Sequence, residues 1–376
     1  MIARPAPRIF VSAGEPSGDL HGAGVVRALR VRHPEATIEA LGGPHMAAAG
    51  AQIRYPMEGL AAFGLVEVVT KLRAHLRLLR ALRADFRAHR YDLVILIDYP
   101  GFHVRVAEAA REAGTKVLYY IAPQLWAWRP GRARRFASAV DRLAVVLPFE
   151  QRFFGGLGLR SDYVGHPLVD RGVWPTRSEA RARLGVPADS RVLGIFPGSR
   201  QQEIGRLWRP FRDAARLLLD EGRCDHVLVA GTPGGDYPDP GPLTILRGDP
   251  IPVFAAADAA LAKSGTTTLE AALADVPMVV AYKVHPLTWL MFQRLRTVEW
   301  VSLVNLVAER EVVPELLQDQ AEAGPLARAL GPLLDPADPR TVAQHEGLAL
   351  VRSRLGAAGA ATRVVELADE LLAACG

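Results

Sequence analysis

The stretch "VSAGEPSGDLHGAG" occupies residues 11–24. It follows the apolar run Ile9-Phe10-Val11 and leads into Val25–Leu29, where apolar residues take helical spacing. Strand, glycine-rich turn, helix is the layout that holds a phosphate, because unpaired N–H groups at the helix start face an anion. Here the spacing departs from G-x-G-x-x-G, and no Gly-Lys pair of a Walker loop occurs in the chain. Both absences weigh against a nicotinamide or ATP site. The turn instead carries Glu15, Ser17, Asp19 and His21. Ser17 or Asp19 can cap the helix. Capping does not account for Glu15 beside a proline, so the turn is also read as a carrier of ligand-binding groups.

Outward from this turn, short apolar runs alternate with helical patterns. In the first half, strands are expected at 8–13, 37–41, 92–97, 116–121, 142–147 and 161–165, with helices at 19–32, 65–89, 103–113 and 149–155. The pattern restarts at 191–196, with further strands at 226–230, 243–246, 259–262 and 277–282. Parallel strands require such crossovers, so each half reads as a parallel α/β sheet. The Pro- and Gly-rich segment 164–190 reads as a linker, and 357–374 as one amphipathic helix. A chain of 376 residues suits two such domains. Two Rossmann-like domains facing a cleft, with a helical C-terminal tail, is the plan of GT-B glycosyltransferases. Some two-domain dehydrogenases and binding proteins share it, and fold alone does not choose among them.

Composition narrows the class. Only four lysines (Lys71, Lys116, Lys263, Lys283) stand among 45 basic residues, an arginine bias read as genome composition rather than a nucleic-acid surface. The net charge of +5 still favours anionic partners. Two distant cysteines give no metal spacing or disulfide framework. No apolar run approaches the roughly 18 residues of a spanning helix, and the N-terminal apolar run is too short for a signal peptide. A cytoplasmic protein, at most peripheral to a membrane, is expected.

Ligands of open parallel sheets bind at the carboxyl ends of strands. The strand at 92–97 ends in Asp98, where desolvation would raise a carboxyl pKa and suit a general base. The alternative is a cap for the next helix. "IFPGSRQQEI" (195–204) and "LAKSGTTTLEAAL" (261–273) are strand–turn–helix units. Their turns, Gly198-Ser199-Arg200 and Ser264-Gly265-Thr266-Thr267, can cradle a diphosphate through backbone N–H groups. Lys263 and Arg200 supply counter-charge, and Glu270, one turn into the second helix, can bind ribose hydroxyls. "YYIAPQLWAWRPGRARR" (119–135) sets Trp126 and Trp128 beside Arg129 and Arg132, as a stacking and phosphate-binding cluster or as a buried strand end followed by a solvated helix. Within 63–90, Leu65, Val68, Val69, Leu72, Leu76, Leu79 and Leu82 form a stripe at three- and four-residue steps. Residues 71–90 carry seven basic side chains and one acid. Such a helix packs on a sheet, lies on an anionic membrane, or does both at opposite ends.

Ten motifs in order carry a resemblance. They are "VSAGEPSGDLHGAG", "LGGPHMAAAG", "IDYPGFHVRVA", "YYIAPQLWAWRPGR", "VVLPFE", "YVGHPLVD", "FPGSRQQEI", "KSGTTTLEAAL", "PMVVAYKV" and "VSLVNLVAEREVVPELLQ". Together, over residues 8–320, the chain resembles the lipid-A-disaccharide synthases, GT-B glycosyltransferases of family 19. The resemblance implies an inverting transfer of 2,3-diacylglucosamine from UDP to the 6-hydroxyl of 2,3-diacylglucosamine 1-phosphate. It implies no cofactor and no metal, work at the cytoplasmic face of the inner membrane, and a homodimer with exchanged C-terminal segments. On this reading residues 1–170 hold acceptor and membrane, 171–340 hold the UDP-sugar, and helices of 341–376 pack back on the N-terminal domain or a partner subunit. Asp98 is the expected base with Glu15 as alternative. Ser17, Arg129 and Arg132 bind acceptor. Ser199, Arg200, Lys263, Ser264, Gly265, Thr266, Thr267, Glu270 and Asn305 bind UDP, and Leu65, Val68, Val69, Leu72 and Leu76 meet acyl chains or bilayer. Family members usually carry Ala at Pro16, Asp at Gly101, Asn at His103 and Pro at Val304. Rival readings are another UDP-GlcNAc enzyme (a 2-epimerase or the peptidoglycan glycosyltransferase), a non-catalytic UDP-sugar binder, and an NAD-dependent oxidoreductase.

Overall fold

The computed structural model describes residues 6–58, 65–128 and 130–374. The chain forms two compact units, 1–170 with 357–376, and 171–356.

Unit 1 runs β1 (Arg8–Ala13), α1 (Pro16–Arg32), β2 (Thr37–Gly42), α2 (Pro44–Ala48), β3 (Gln52–Pro56), α3 (Leu65–Arg87), β4 (Leu93–Ile97) and α4 (Pro100–Glu112). It continues with β5 (Lys116–Tyr120), α5 (Leu125–Trp128), α6 (Pro130–Ala139), β6 (Arg142–Val145), α7 (Pro148–Gly155) and β7 (Ser161–Tyr163). Seven parallel strands lie in the order β3-β2-β1-β4-β5-β6-β7. β4, "LVILI", is buried along its whole length, as a central strand covered on both faces must be. β3 went unread in the sequence because it is an edge strand with alternating exposure and a terminal proline, so no apolar run marks it.

Unit 2 comprises α8 (Arg177–Leu184), β8 (Val192–Phe196), α9 (Gln201–Asp220), β9 (His226–Gly231), β10 (Thr244–Arg247), α10 (Ile251–Ala256), β11 (Ala259–Lys263) and α11 (Thr266–Leu273). β12 (Met278–Tyr282), α12 (Pro286–Leu295), α13 (Leu303–Ala308), β13 (Glu315–Leu317), α14 (Ala323–Leu330) and α15 (Pro339–Leu355) complete it. Its sheet has the order β10-β9-β8-β11-β12-β13, again parallel. α9 buries Ile204, Leu207, Trp208, Phe211 and Leu218 at helical spacing against β8, β9 and β11. The segment expected as linker contains α8. Thr176 caps it and Glu179 closes a capping box, while Gly185 ends it at φ +67°. Buried Arg181 ties α8 to Asp258 (2.7 Å) and the Ala256 carbonyl (3.1 Å). The T-x-x-E pattern marks that helix start in the sequence.

The last helix, α16 (Ala360–Ala373), belongs to unit 1. Buried Arg142 pairs with its Glu370, and Arg363 donates to the carbonyl of Val164. The segment 341–376 is thus divided: α15 lies in unit 2 and α16 in unit 1.

Candidate functional site

In unit 1 the strand order reverses between β1 and β4, which pair with Ala13 opposite Ile97. That crevice is where open sheets take ligands, and it sets the turn after Ala13 beside Asp98. Glu15 and Ser17 are exposed there. Glu15 is the N-cap residue of α1, and no side chain caps that helix. Asp19 does something else. Fully buried, its carboxylate accepts the N–H groups of Gly43 (2.8 Å), His45 (2.9 Å) and Met46 (3.2 Å), capping α2 across 24 to 27 residues. Capping of α1 by Ser17 or Asp19 is therefore not what the turn does.

Asp98 and Tyr99 are consecutive left-handed residues, at φ +47° and +54°. Each costs roughly 1–3 kcal/mol when it is not glycine, so surrounding bonds must hold them. The main chain of Asp98 is held from both sides: its N–H donates to the Tyr120 carbonyl (2.9 Å), and its carbonyl accepts from Tyr119 Oη (2.6 Å) and His103 Nδ1 (2.7 Å). His103 is completely buried, and burial pushes its pKa down to about 4, so the ring is neutral. A carbonyl only accepts, so Nδ1 carries the proton and Nε2 accepts from Ser12 Oγ (2.8 Å). Only a glycine at 14 fits beneath Tyr99, since a Cβ there would collide with its ring. Asp98 is not the cap of α4; Tyr99 is its N-cap residue and no side chain caps it.

Burial first, and then the negative charge of Glu15, raise the Asp98 carboxyl to about 6. A base must be ionised, so activity dependent on it rises with pH through that value. Glu15→Gln removes one of the two raising influences. The acid limb of kcat/KM is then expected to fall below 6, checked by a pH–rate profile; an unmoved limb would separate Glu15 from Asp98.

A third carboxyl lies deeper. Glu150 of α7 is fully buried and raised to about 7, chiefly by burial. It accepts the Trp126 indole N–H (2.9 Å) and the Leu147 N–H (3.1 Å). Trp126 is buried and edge-on to Phe149 (4.8 Å), so it anchors the loop after β5 rather than stacking on a ligand. In sequence the signal for Glu150 was proline at the first and glutamate at the third position of a helix. Arg132 is exposed on α6, and Arg129 lies outside the described residues.

Unit 2 reverses order between β8 and β11, which pair with Phe196 opposite Ala262. Its two turns thus stand side by side. The first already holds an anion: Glu203 Oε2 accepts the N–H groups of Ser199 (3.2 Å) and Arg200 (3.4 Å). Glu203 Oε1 pairs with Lys263 at 2.9 Å. Gly198, at φ +114°, is required because a Cβ would come within 2.7 Å of that carboxylate. In the second turn Ser264 is committed, its N–H to Ala281 and its hydroxyl to the Val301 carbonyl (2.8 Å). Gly265, Thr266 and Thr267 open α11, which no side chain caps. Glu270 is nearly buried and ion-paired with Arg171. Burial raises its pKa while Arg171 opposes that shift. Phe254 of α10 is buried and stacked on Phe196 at 3.9 Å.

Asn305 is completely buried, and its amide is fully used inside unit 2. Nδ2 donates to the Val313 carbonyl and Glu315 Oε1 (both 2.9 Å), while Oδ1 accepts the N–H groups of Val312 (2.8 Å) and Val313 (3.0 Å). Glu315 also accepts the N–H groups of Val301 and Ser302 (both 2.8 Å). The expected direct contact of Asn305 with UDP gives way to a structural role, because no donor or acceptor of its amide is left over.

On α3, Leu79, Leu82 and Phe86 are buried, whereas Leu72 and Leu76 are 52% and 37% exposed. Arg73, Arg77 and Arg80 are exposed around them. The C-terminal half packs on the sheet while the described leucines before it face outward. The side chains of Leu65, Val68 and Val69 lie outside the described residues. No helix among the described residues is long and apolar enough to cross a membrane.

A family model described as lipid-A-disaccharide synthetase matches residues 9–237 and 238–356. A lipid-A-disaccharide synthase of Geobacter metallireducens is 41% identical over 383 residues, covering 99% of both chains. One from Pseudomonas aeruginosa is 42% identical over 338 residues, covering 87% of this chain and 89% of that protein. Among solved structures, UDP-GlcNAc 2-epimerase of Neisseria meningitidis bound to UDP-GlcNAc superposes with a TM-score of 0.67 at 12% identity, covering 96% of this chain and all of that one. MurG of Acinetobacter baumannii does so with 0.59 at 16%, covering 97% and 100%. At such identities these two speak for fold alone, and the two Rossmann-like units have the GT-B architecture. With the family model spanning both units and relatives above 40% identity over most of their length, the chain belongs to the lipid-A-disaccharide synthetase family.

Proposed function

We propose that the protein is an inverting glycosyltransferase. It moves 2,3-diacylglucosamine from UDP to the 6-hydroxyl of 2,3-diacylglucosamine 1-phosphate, giving the β-1,6-linked disaccharide 1-phosphate and UDP. The observation that carries the chemistry is a carboxyl at the switch point of unit 1, raised to about 6 by burial and Glu15. At neutral pH it is ionised yet basic enough to take a hydroxyl proton as the hydroxyl becomes a nucleophile. The acceptor oxygen bonds to the anomeric carbon, the bond to the UDP oxygen breaks on the opposite face, and the configuration inverts. Asp98 is the base in this reading. Glu15 tunes it, and Ser17 and Arg132 meet the acceptor.

In unit 2 the leaving diphosphate is assigned to the start of α11, at Gly265, Thr266 and Thr267, where unpaired helix N–H groups and the helix dipole stabilise negative charge. Lys263 and Arg200 add positive charge, with Ser199 beside them. Glu203 holds Lys263 in place. Glu270, fixed by Arg171, receives the ribose hydroxyls. Ser264 and Asn305 shape the floor of this site. The family match favours this reading over a 2-epimerase, the peptidoglycan transferase or a silent UDP-sugar binder. The deciding experiment follows UDP release from UDP-2,3-diacylglucosamine with and without the acceptor. Acceptor-dependent release supports the proposal; UDP binding without release would overturn it.

The protein works, in this reading, as a peripheral protein at the cytoplasmic face of the inner membrane, with the exposed Leu72 and Leu76 of α3 on the lipid. Leu72→Asp with Leu76→Asp is expected to cut co-sedimentation with anionic vesicles at least tenfold. The buried half of the helix is untouched, so the melting temperature should hold. Unchanged sedimentation would remove α3 from the membrane contact. A homodimer exchanging C-terminal segments would transfer the α16 contacts of Arg142 and Arg363 to a second copy.

A further inference from the structure

We propose that His103 and Tyr119 are positioning residues for the transfer, acting together through the main-chain carbonyl of Asp98. This inference rests on the reading of Asp98 as the base. The two side chains reach one oxygen from different elements, His103 from α4 at 2.7 Å and Tyr119 from β5 at 2.6 Å. Both side chains are completely buried. Between them they fix a backbone that side chains other than glycine rarely adopt, two successive residues at positive φ. Without that conformation the chain leaving β4 would run on in another direction, and the Asp98 side chain would no longer point from the strand end.

Ser12 completes the arrangement. Its hydroxyl donates to His103 Nε2, which forces the proton onto Nδ1, the atom facing the Asp98 carbonyl. Ser12 lies on β1, His103 on α4 and Tyr119 on β5, so the two strands flanking β4 and the helix that follows it all bear on one carbonyl, Ser12 through His103. The imidazole stays neutral, and it never touches substrate. Its role is directional: Nδ1–H points at a backbone oxygen rather than at a reacting group.

Asparagine can partly replace His103, because its amide nitrogen stands as many bonds from Cβ as Nδ1 and can donate to the same oxygen. Leucine keeps the volume and removes the donor. The test compares H103L, H103N, Y119F and D98N, with kcat and KM for both substrates, a pH profile and a melting curve for each. We expect H103L and Y119F to lose 10- to 100-fold in kcat, with KM for the UDP-sugar within twofold and the acid limb displaced from its wild-type midpoint. H103N should recover to within about fivefold of wild type. A merely structural role would lower the melting temperature without moving the limb. If H103L does not fold, Y119F and H103N, each losing a single hydrogen-bonding group, carry the test. Folded Y119F and H103L with wild-type kcat and limb, beside an inactive D98N, would overturn the positioning inference alone. An active D98N would overturn the base assignment and this inference with it.

Discussion

Asp98→Asn is expected to lower kcat by about 10²–10⁴-fold, the range general base catalysis supplies, while the Kd for UDP changes less than twofold. Asparagine fills the same space and can sit on the same backbone, so the loss reports the missing proton acceptor. The groups assigned to the nucleotide in our proposal belong to unit 2, so the substitution is expected to leave them alone. In the wild type, the ionised fraction of Asp98 rises as pH climbs through about 6. The residual rate of D98N should therefore lack that acid limb. Steady-state kinetics between pH 5 and 8, with isothermal titration of UDP, decides the matter. A D98N enzyme with normal kcat and an intact limb would move the base elsewhere, and Glu15, whose charge acts on Asp98, is the first place to look.

Asn305→Ala is expected to destabilise unit 2 by about 3 kcal/mol or more, from stranding three buried backbone groups at about 1–3 kcal/mol each. The groups left behind are the N–H groups of Val312 and Val313 and the Val313 carbonyl, while Glu315 Oε1 loses one donor and keeps the Ser302 N–H. Glu315 in turn holds the backbone of Val301 and Ser302, and Val301 accepts from Ser264. Loss at Asn305 thus spreads toward the turn that opens α11. Urea unfolding followed by tryptophan fluorescence reads the stability, and titration below the transition reads UDP affinity. Wild-type stability with affinity lowered tenfold would restore Asn305 to the ligand's contacts.

Much of the plan was legible before any coordinates. β1, β4, β8 and β11 stood as short apolar runs, and the residues after each run mark where a parallel sheet binds ligands. The residues at those strand ends, Asp98 among them, follow from that reasoning alone. The 3.6-residue stripe on α3 was legible as well, because burial leaves a local imprint on composition. β3 was not, since an edge strand buries too little to leave one. The helix α8 hid in a Pro- and Gly-rich stretch whose capping box was there to be read.

The tertiary structure decided what each polar residue does. Asp19, Asn305 and Glu203 look alike in sequence to ligand-binding groups. Yet Asp19 caps α2, Asn305 braces the turn before β13, and Glu203 fills the anion site of its own turn. His103 lies 91 residues from the serine that sets its tautomer. Apolar burial is non-directional and repeats with the period of the element, so one strand or helix reveals it. A hydrogen bond is directional and short, and its partner is chosen by how distant strands align. Sequence therefore determined the two sheets and the strand ends where chemistry sits. Only the packed chain decided which carboxyls, amides and imidazoles at those ends were already taken.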